Sequence, residues 1–300
     1  VAEDPETGAL LINAGAVLET EELHQITPSL PDDIPPGAIF TWGGLDDDKT
    51  RIESFRAYPE NVDVVVEYVF DQSQPRNFGG PAVTDARSVA VKVQHSFVAM
   101  PDDGYAPRRD DFRVGYFGER IDDLTDTGFT PYADLINRWR LEKADPEAAV
   151  SDPVEPIVWW IENTTPEEIR DEVREGVLAW NAAFEAAGIS NAIEVRVQPD
   201  DAEWDAGDIR YNVLRWTSSP TPPFGGYGPS FTNPRTGEII GADIMLEYVF
   251  LRNRLLQSEI FDTAALPPGF TEESAALLEA HGVGHDRFCS FASHLQQELM

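Results

Sequence analysis

A single cysteine, Cys289, stands among 300 residues, so no internal disulfide can form and no CxxC pair is present for thiol redox chemistry. No apolar run approaches the ~20 residues that a bilayer-crossing helix needs, and no membrane span is expected. Basic residues are scarce. Three Lys and 19 Arg face 54 acidic residues, giving a formal charge of −32 and an isoelectric point near 4.3. A surface of that sign repels phosphate backbones and anionic lipid, which argues against nucleic acid as a partner. Phosphate-loop and nucleophile-elbow motifs are also missing: GGYG at 225–228 lacks both the spacing and the Lys-Ser/Thr ending. The chain opens on Val1 without an initiator Met or a signal peptide, which reads as a mature or excised segment.

What is present divides by texture. The first hundred residues read as β. An apolar stretch at 9–17 and a proline-rich loop at 31–37 precede a β-branched run at 62–70. A second run, 88–100, alternates, with Val89, Val91, Val93 and His95 on one face and Ser88, Ala90, Lys92 and Gln94 on the other. Between them, 72–85 contains Gly79-Gly80-Pro81 and suits a long hairpin loop. Residues 101–152 are charged and irregular and read as a connecting segment, with a short helix at 132–141 placing Leu135, Ile136 and Trp139 together.

From 153 onward the pattern is α/β. PIVWWI at 156–161 is a compact apolar strand. Thr165-Pro-Glu-Glu168 has the form of a capping box, and Ile169, Val173, Val177, Trp180 and Phe184 follow at helical spacing up to Gly188. Ile193, Val195 and Val197 then alternate as a strand, so strand, long helix and strand predict a parallel βαβ unit. A third strand is expected at 208–216, and a hairpin around 233–237 leads into 239–250.

Histidine is the scarce chemical resource: His24, His95, His281, His285 and His294. His281 and His285 have the i, i+4 spacing that places two imidazoles on one helical face. Three features oppose a zinc helix there. Gly282 stands where the general-base Glu of HExxH belongs, Gly282 and Gly284 each cost a helix about 1 kcal/mol relative to Ala, and His294 lies nine residues on, where position 291 is Phe. The acidic run Asp200, Asp201, Glu203, Asp205 and Asp208 offers oxygen ligands for a structural Ca2+. However, Ala206 stands where a calcium loop wants Gly, and an acidic turn before a strand is the better fit. Arg108, Arg109, Asp110, Asp111 and Arg113 read either as a carboxylate clamp or as a self-paired charged loop.

A string of segments then becomes informative in order: YPEN at 58–61, PRRDDFRVGYF at 107–117, PIVWWIEN at 156–163, AWNAAF at 179–184, DIRYN at 208–212 and NPRTGEIIGADI at 233–244. With these the chain resembles, over nearly its whole length, a family of large bacterial zinc-dependent metalloproteases with a metzincin-like catalytic domain. The resemblance implies a β-rich N-terminal domain (1–100), a connecting segment (101–152) and the N-terminal part of the catalytic domain (153–300), with a twisted mixed sheet and one long helix. It implies hydrolysis of peptide bonds in peptide or protein substrates, with Zn2+ as cofactor and an extracellular or periplasmic location. Family members carry an HExGHxxGxxH-type motif beyond the region matching 286–290, so the zinc ligands and the base are expected downstream of Met300. The chain alone is then expected to be inactive, with no catalytic or metal residue of its own. What the resemblance does assign is a cleft-lining strand for substrate, over Gly241, Ala242, Asp243, Ile244, Met245 and Leu246. An ordinary core strand is the other reading of that segment. An acidic extracellular protein- or glycan-binding module without catalysis is the alternative for the whole chain.

Overall fold

In the computed structural model the described residues are 2–27, 33–101, 104–220 and 224–250, with Arg252, Asn253 and Leu256. The chain is α+β and sheet-rich, in two compact units: Val1–Arg215 with Gly228–Ile244, and Trp216–Tyr227 with Met245–Met300. Residues 1–100, 101–152 and most of the following stretch fall together in the first.

That unit starts with a small ladder, β1 (Ala2–Glu3) with β2 (Leu10–Leu11), and a one-turn helix α1 (Gly15–Leu18). An antiparallel sheet follows from β3 (Gly44–Leu45), β4 (Arg51–Ala57), β5 (Asn61–Asp71) and β6 (Ser88–Val98). β6 pairs with all of β5, from Asn61↔Val98 to Asp71↔Ser88, so β3 and β4 share the opposite edge of β5. The loop 72–87 between them is the long hairpin connection anticipated from Gly79-Gly80-Pro81. β5 is the most apolar strand and is central for that reason. Val64, Val66, Tyr68 and Phe70 are buried against Leu18, with Ile26, Trp42, Leu45, Ile52, Val91 and Val93 around them. The buried Tyr68 hydroxyl donates to the Leu18 carbonyl at 2.6 Å and lies 2.8 Å from His95 Nε2, so His95 is a packed, hydrogen-bonded strand residue.

The helix predicted at 132–141 is corrected to strands. β7 (Gly118–Asp122) pairs antiparallel with β8 (Tyr132–Ile136), and β9 (Arg138–Trp139) follows. A ten-residue helix is marginal by itself, and ladder partners on other strands decide the conformation here.

β10 (Ile157–Ile161) leads into a 3-10 turn (Glu167–Ile169), then α2 (Arg170–Leu178), α3 (Asn181–Ala186) and β11 (Ile193–Val197). The single long helix is therefore two shorter ones. Between them Ala182 N–H and Ala183 N–H bond the carbonyls three residues back, which tightens the axis at Ala179–Trp180. The Thr165 capping box is also corrected. Pro166 remains extended (ψ 135°) and no side chain caps the turn; the Thr165 carbonyl instead accepts from Arg170 Nε at 2.8 Å. Gly188 closes α3 with φ +94°, as anticipated.

β12 (Asn212–Thr217) and β11 flank β10, both parallel to it, with Trp159 paired to Val195 on one side and Asn212 on the other. After β13 (Gly226–Tyr227), the strands β14 (Ser230–Thr232) and β15 (Glu238–Glu247) form an antiparallel hairpin around Asn233 and Gly237. In the first unit the strand order is β11-β10-β12-β15, with β14 and β9 also on β15. Ile157, Trp159, Ile161, Ile193, Leu214 and Ala242 form its buried core, and Val173, Val177 and Phe184 pack onto it from the helices. In the second unit β13 pairs antiparallel with Met245 and Leu246.

Candidate functional site

The segment 241–246 lies inside β15. Gly241 and Ala242 pair with Phe231 and Ser230 of β14, while β12 is the neighbour on the other side. In the second unit Met245 and Leu246 pair with Tyr227 and Gly226. Ala242 is buried in the core and Ile244 packs against it, so these two side chains anchor one face of the strand. Gly241 permits a close approach, and the group that approaches is internal. A Cβ there would lie 2.9 Å from Ile209 Cγ1 and 3.0 Å from the Ile209 carbonyl oxygen. The backbone of β15 is thus engaged by neighbouring strands, and the outer strand beside 239–242 is β14.

The border between β12 and β15 carries two crossed side-chain bonds. Ala242 N–H donates to Asn212 Oδ1 at 3.0 Å, and Val213 N–H donates to Asp243 Oδ1 at 3.1 Å. Asn212 Nδ2 also reaches the Val158 carbonyl at 2.9 Å, tying β10 to the same point. Burial pushes the Asp243 carboxyl up to about 6. The Val213 N–H and the Arg215 guanidinium act against that rise, while the charges of Glu162 and Asp63 add to it. Arg215 Nε lies 3.6 Å from Glu162 Oε1. A carboxylate at an alternate position of a core strand is the sequence signal for this group, yet its titration depends on burial and on neighbours from β5, β12 and Glu162 just after β10 that only folding supplies.

The acidic run 200–208 is organised as a structural socket. Asp205 accepts from Tyr58 Oη and Arg56 Nη1, each at 2.6 Å, and from Gly207 N–H at 2.8 Å. Burial works to raise the Asp205 carboxyl, but these donors outweigh it and hold it below the usual range. Asn61 Nδ2 donates to the Gly207 carbonyl at 2.8 Å, and Ile209 N–H donates to Asn61 Oδ1 at 3.1 Å. The buried Asp208 pairs with Arg210 at 2.6 Å. Behind the socket Trp204 stacks on Tyr211 at 3.8 Å with Trp160 edge-on to both. Two of the run's carboxylates, Asp205 and Asp208, are thus engaged by groups of the chain itself. Tyr58 and Asn61 are the first and last residues of the YPEN segment, and nothing in their local sequence points to this role. Of the charged cluster at 108–113, Arg113 is paired with Asp111 at 2.5 Å, within the loop itself.

In the second unit the buried Glu247 is held by Ser219 N–H at 2.9 Å, Ser219 Oγ at 3.0 Å, Thr217 Oγ1 at 3.1 Å and Val249 N–H at 3.2 Å. Burial acts to raise this carboxyl, and the donors nonetheless keep it low.

Among the described residues no group of three or more His, Cys, Asp or Glu could hold a metal ion, and none fits Zn2+. His281, His285, His294 and Cys289 lie outside the described residues. Among the described residues no helix is long and apolar enough to cross a membrane. No curated protein and no solved structure matches the chain. Residues 1–144 match the family model of a domain of unknown function, DUF5117, which spans the β-rich sheet and the β7–β8 ribbon.

Proposed function

We propose that this chain is a segment of a secreted zinc-dependent endopeptidase, one that positions peptide substrate while the zinc ligands and the general base come from beyond Met300. The observation that carries this reading is the order β11-β10-β12-β15, with the parallel pair β10 and β11 joined through α2 and α3, and an antiparallel strand, β14, outside β15. That succession agrees with the strand, helix, further strands and cleft edge that the resembled family places ahead of its zinc helix. Because β12 and β14 border β15 at this point, the extended peptide adds beside β14, and Gly241 and Ala242 of the expected segment support that outer strand. Residues 209–237, which include β14, contain no carboxylate in a chain that carries 54, so an incoming peptide meets little repulsion there.

The test is zinc stoichiometry of the exhaustively dialysed chain, of a His281→Ala/His285→Ala double variant, and of the natural polypeptide continuing past Met300. The expected result is no zinc in the first two, with one zinc and peptide hydrolysis in the third. One zinc per chain that disappears in the double variant would overturn the reading and make 281–285 the metal site.

A further inference from the structure

The long outer edge of the β-rich sheet is formed by β6. We propose that β6 is a self-association edge, on which a second copy of this chain adds antiparallel through its own β6.

The first argument is the hydrogen-bond register. β5 and β6 pair without interruption over 11 residues, and the bonds Gln72 N–H to Arg87 O and Ala99 N–H to Glu60 O bracket the ladder. Both involve odd-numbered residues of the β6 segment. Antiparallel bonding alternates, so the odd residues of β6 bond β5 while the even ones turn their N–H and C=O groups outward. Ala90, Lys92, Gln94 and Ser96 therefore present a regular row of donors and acceptors, and among the described residues no strand pairs with them. Water satisfies these groups one at a time, whereas an extended backbone pairs the whole row at once.

The second argument is what protects the other edge and not this one. β4 carries a bulge between Ile52 and Ser54, and charged Arg51, Glu53 and Arg56 along its length. β6 has no bulge, no proline and no glycine, and its one charged side chain, Lys92, is tied to Glu53 of its own sheet at 2.5 Å. Residues 86–100 contain no carboxylate. In a chain of charge −32, copies repel one another over most of their surface, and β6 is a long strand on which that local repulsion is missing.

The third argument is self-complementarity. A two-fold centred on Val93 sets Lys92 opposite Gln94, Ala90 opposite Ser96 and Ser88 opposite Val98, with outward groups matched to outward groups except at the Ser88 N–H, which bonds the Asp85 carbonyl at 3.3 Å. The closer, non-hydrogen-bonded pairs are then Val89 with Phe97, Val91 with His95, and Val93 with itself, which are favourable β-branched and aromatic neighbours. No like charges face each other. At ~3.3 Å per residue the shared ladder is about 35 Å long.

The register makes position 94 diagnostic. Gln94→Glu places a carboxylate opposite Lys92 of the other copy, twice per dimer, and Gln94→Lys places Lys opposite Lys. Sedimentation equilibrium of the full chain, from micromolar to submillimolar concentration, should show a monomer–dimer equilibrium. Its Kd should fall about tenfold in Gln94→Glu and rise about tenfold in Gln94→Lys. Gln94→Pro removes an outward N–H and leaves the bonds to β5 in place, so it should abolish dimerisation while circular dichroism stays unchanged. Hydrogen exchange adds a readout independent of mass: the amides of Ala90, Lys92, Gln94 and Ser96 should gain protection as concentration rises. A chain that stays monomeric throughout, or a dimer indifferent to the sign of the charge at 94, would overturn the proposal. So would β6 amides protected only by an added foreign extended peptide, which would assign the edge to another polypeptide.

Discussion

Burial pushes the Asp243 carboxyl up to about 6, against the Val213 N–H that donates to it and the Arg215 charge, with the charges of Glu162 and Asp63 adding to the rise. Its folded value lies above the ordinary 3.8, so the neutral form is favoured on folding. The stability this contributes is present in full below about pH 4, and it is lost as pH rises through about 6. Urea midpoints measured from pH 4 to 7 should fall across that window in the wild-type chain. In Asp243→Asn, which keeps an acceptor for Val213 N–H, the fall should be reduced, and the variant should gain up to about 2 kcal/mol at pH 7. Gly241 is the second residue with a definite expectation. Its added Cβ would press on the Ile209 carbonyl and side chain, so Gly241→Ala should lose about 1–3 kcal/mol by thermal or urea unfolding.

At the scale of the element, the socket at Asp205 ties β4 and the start of β5 to the turn ahead of β12. Tyr58→Phe removes one donor to a charged acceptor and leaves the ring in place. A loss of about 1–2 kcal/mol in urea unfolding is expected, with Asp205→Asn giving a similar loss and the double variant less than their sum. The two helices between β10 and β11 are short and break at Ala179–Trp180, so their stability rests on the apolar face they lay on the sheet. Ile161 is fully buried beneath that layer, and Ile161→Ala should cost about 2–5 kcal/mol.

For the molecule as a whole, the charge of −32 is the dominant long-range term. Self-repulsion disfavours the compact state, and salt screens it over about 8 Å at physiological ionic strength. The thermal midpoint should therefore rise with sodium chloride up to a few tenths molar. A midpoint independent of salt would mean that the acidic side chains are largely neutralised by local ion pairs, such as Arg51 with Glu67 and Lys49 with Asp46.

Much of this was legible in the sequence where a single local period dominates. The β-branched run at 62–70 became β5 and the alternating run at 88–100 became β6 with its anticipated faces, while the apolar run at 156–161, the alternation at 193–197 and the turn at 233–237 became β10, β11 and the β14–β15 hairpin, because these patterns are local properties of the chain. Gly188 at φ +94° ended α3 for an equally local reason. Local pattern failed where partners come from far away. Residues 132–141 became strands because β7 and β15 pair with them, and Thr165 lost its capping role to a buried position, with Arg170 bonding its carbonyl. Nothing in the segment 241–246 tells whether its backbone faces a cleft or another strand; β14 and β12 decide that. Likewise the raised carboxyl of Asp243, the engagement of Asp205 and the open edge of β6 depend on groups brought together across scores of residues. Composition and periodicity determine which face each strand buries, whereas tertiary pairing alone determines which backbone groups remain free to bind.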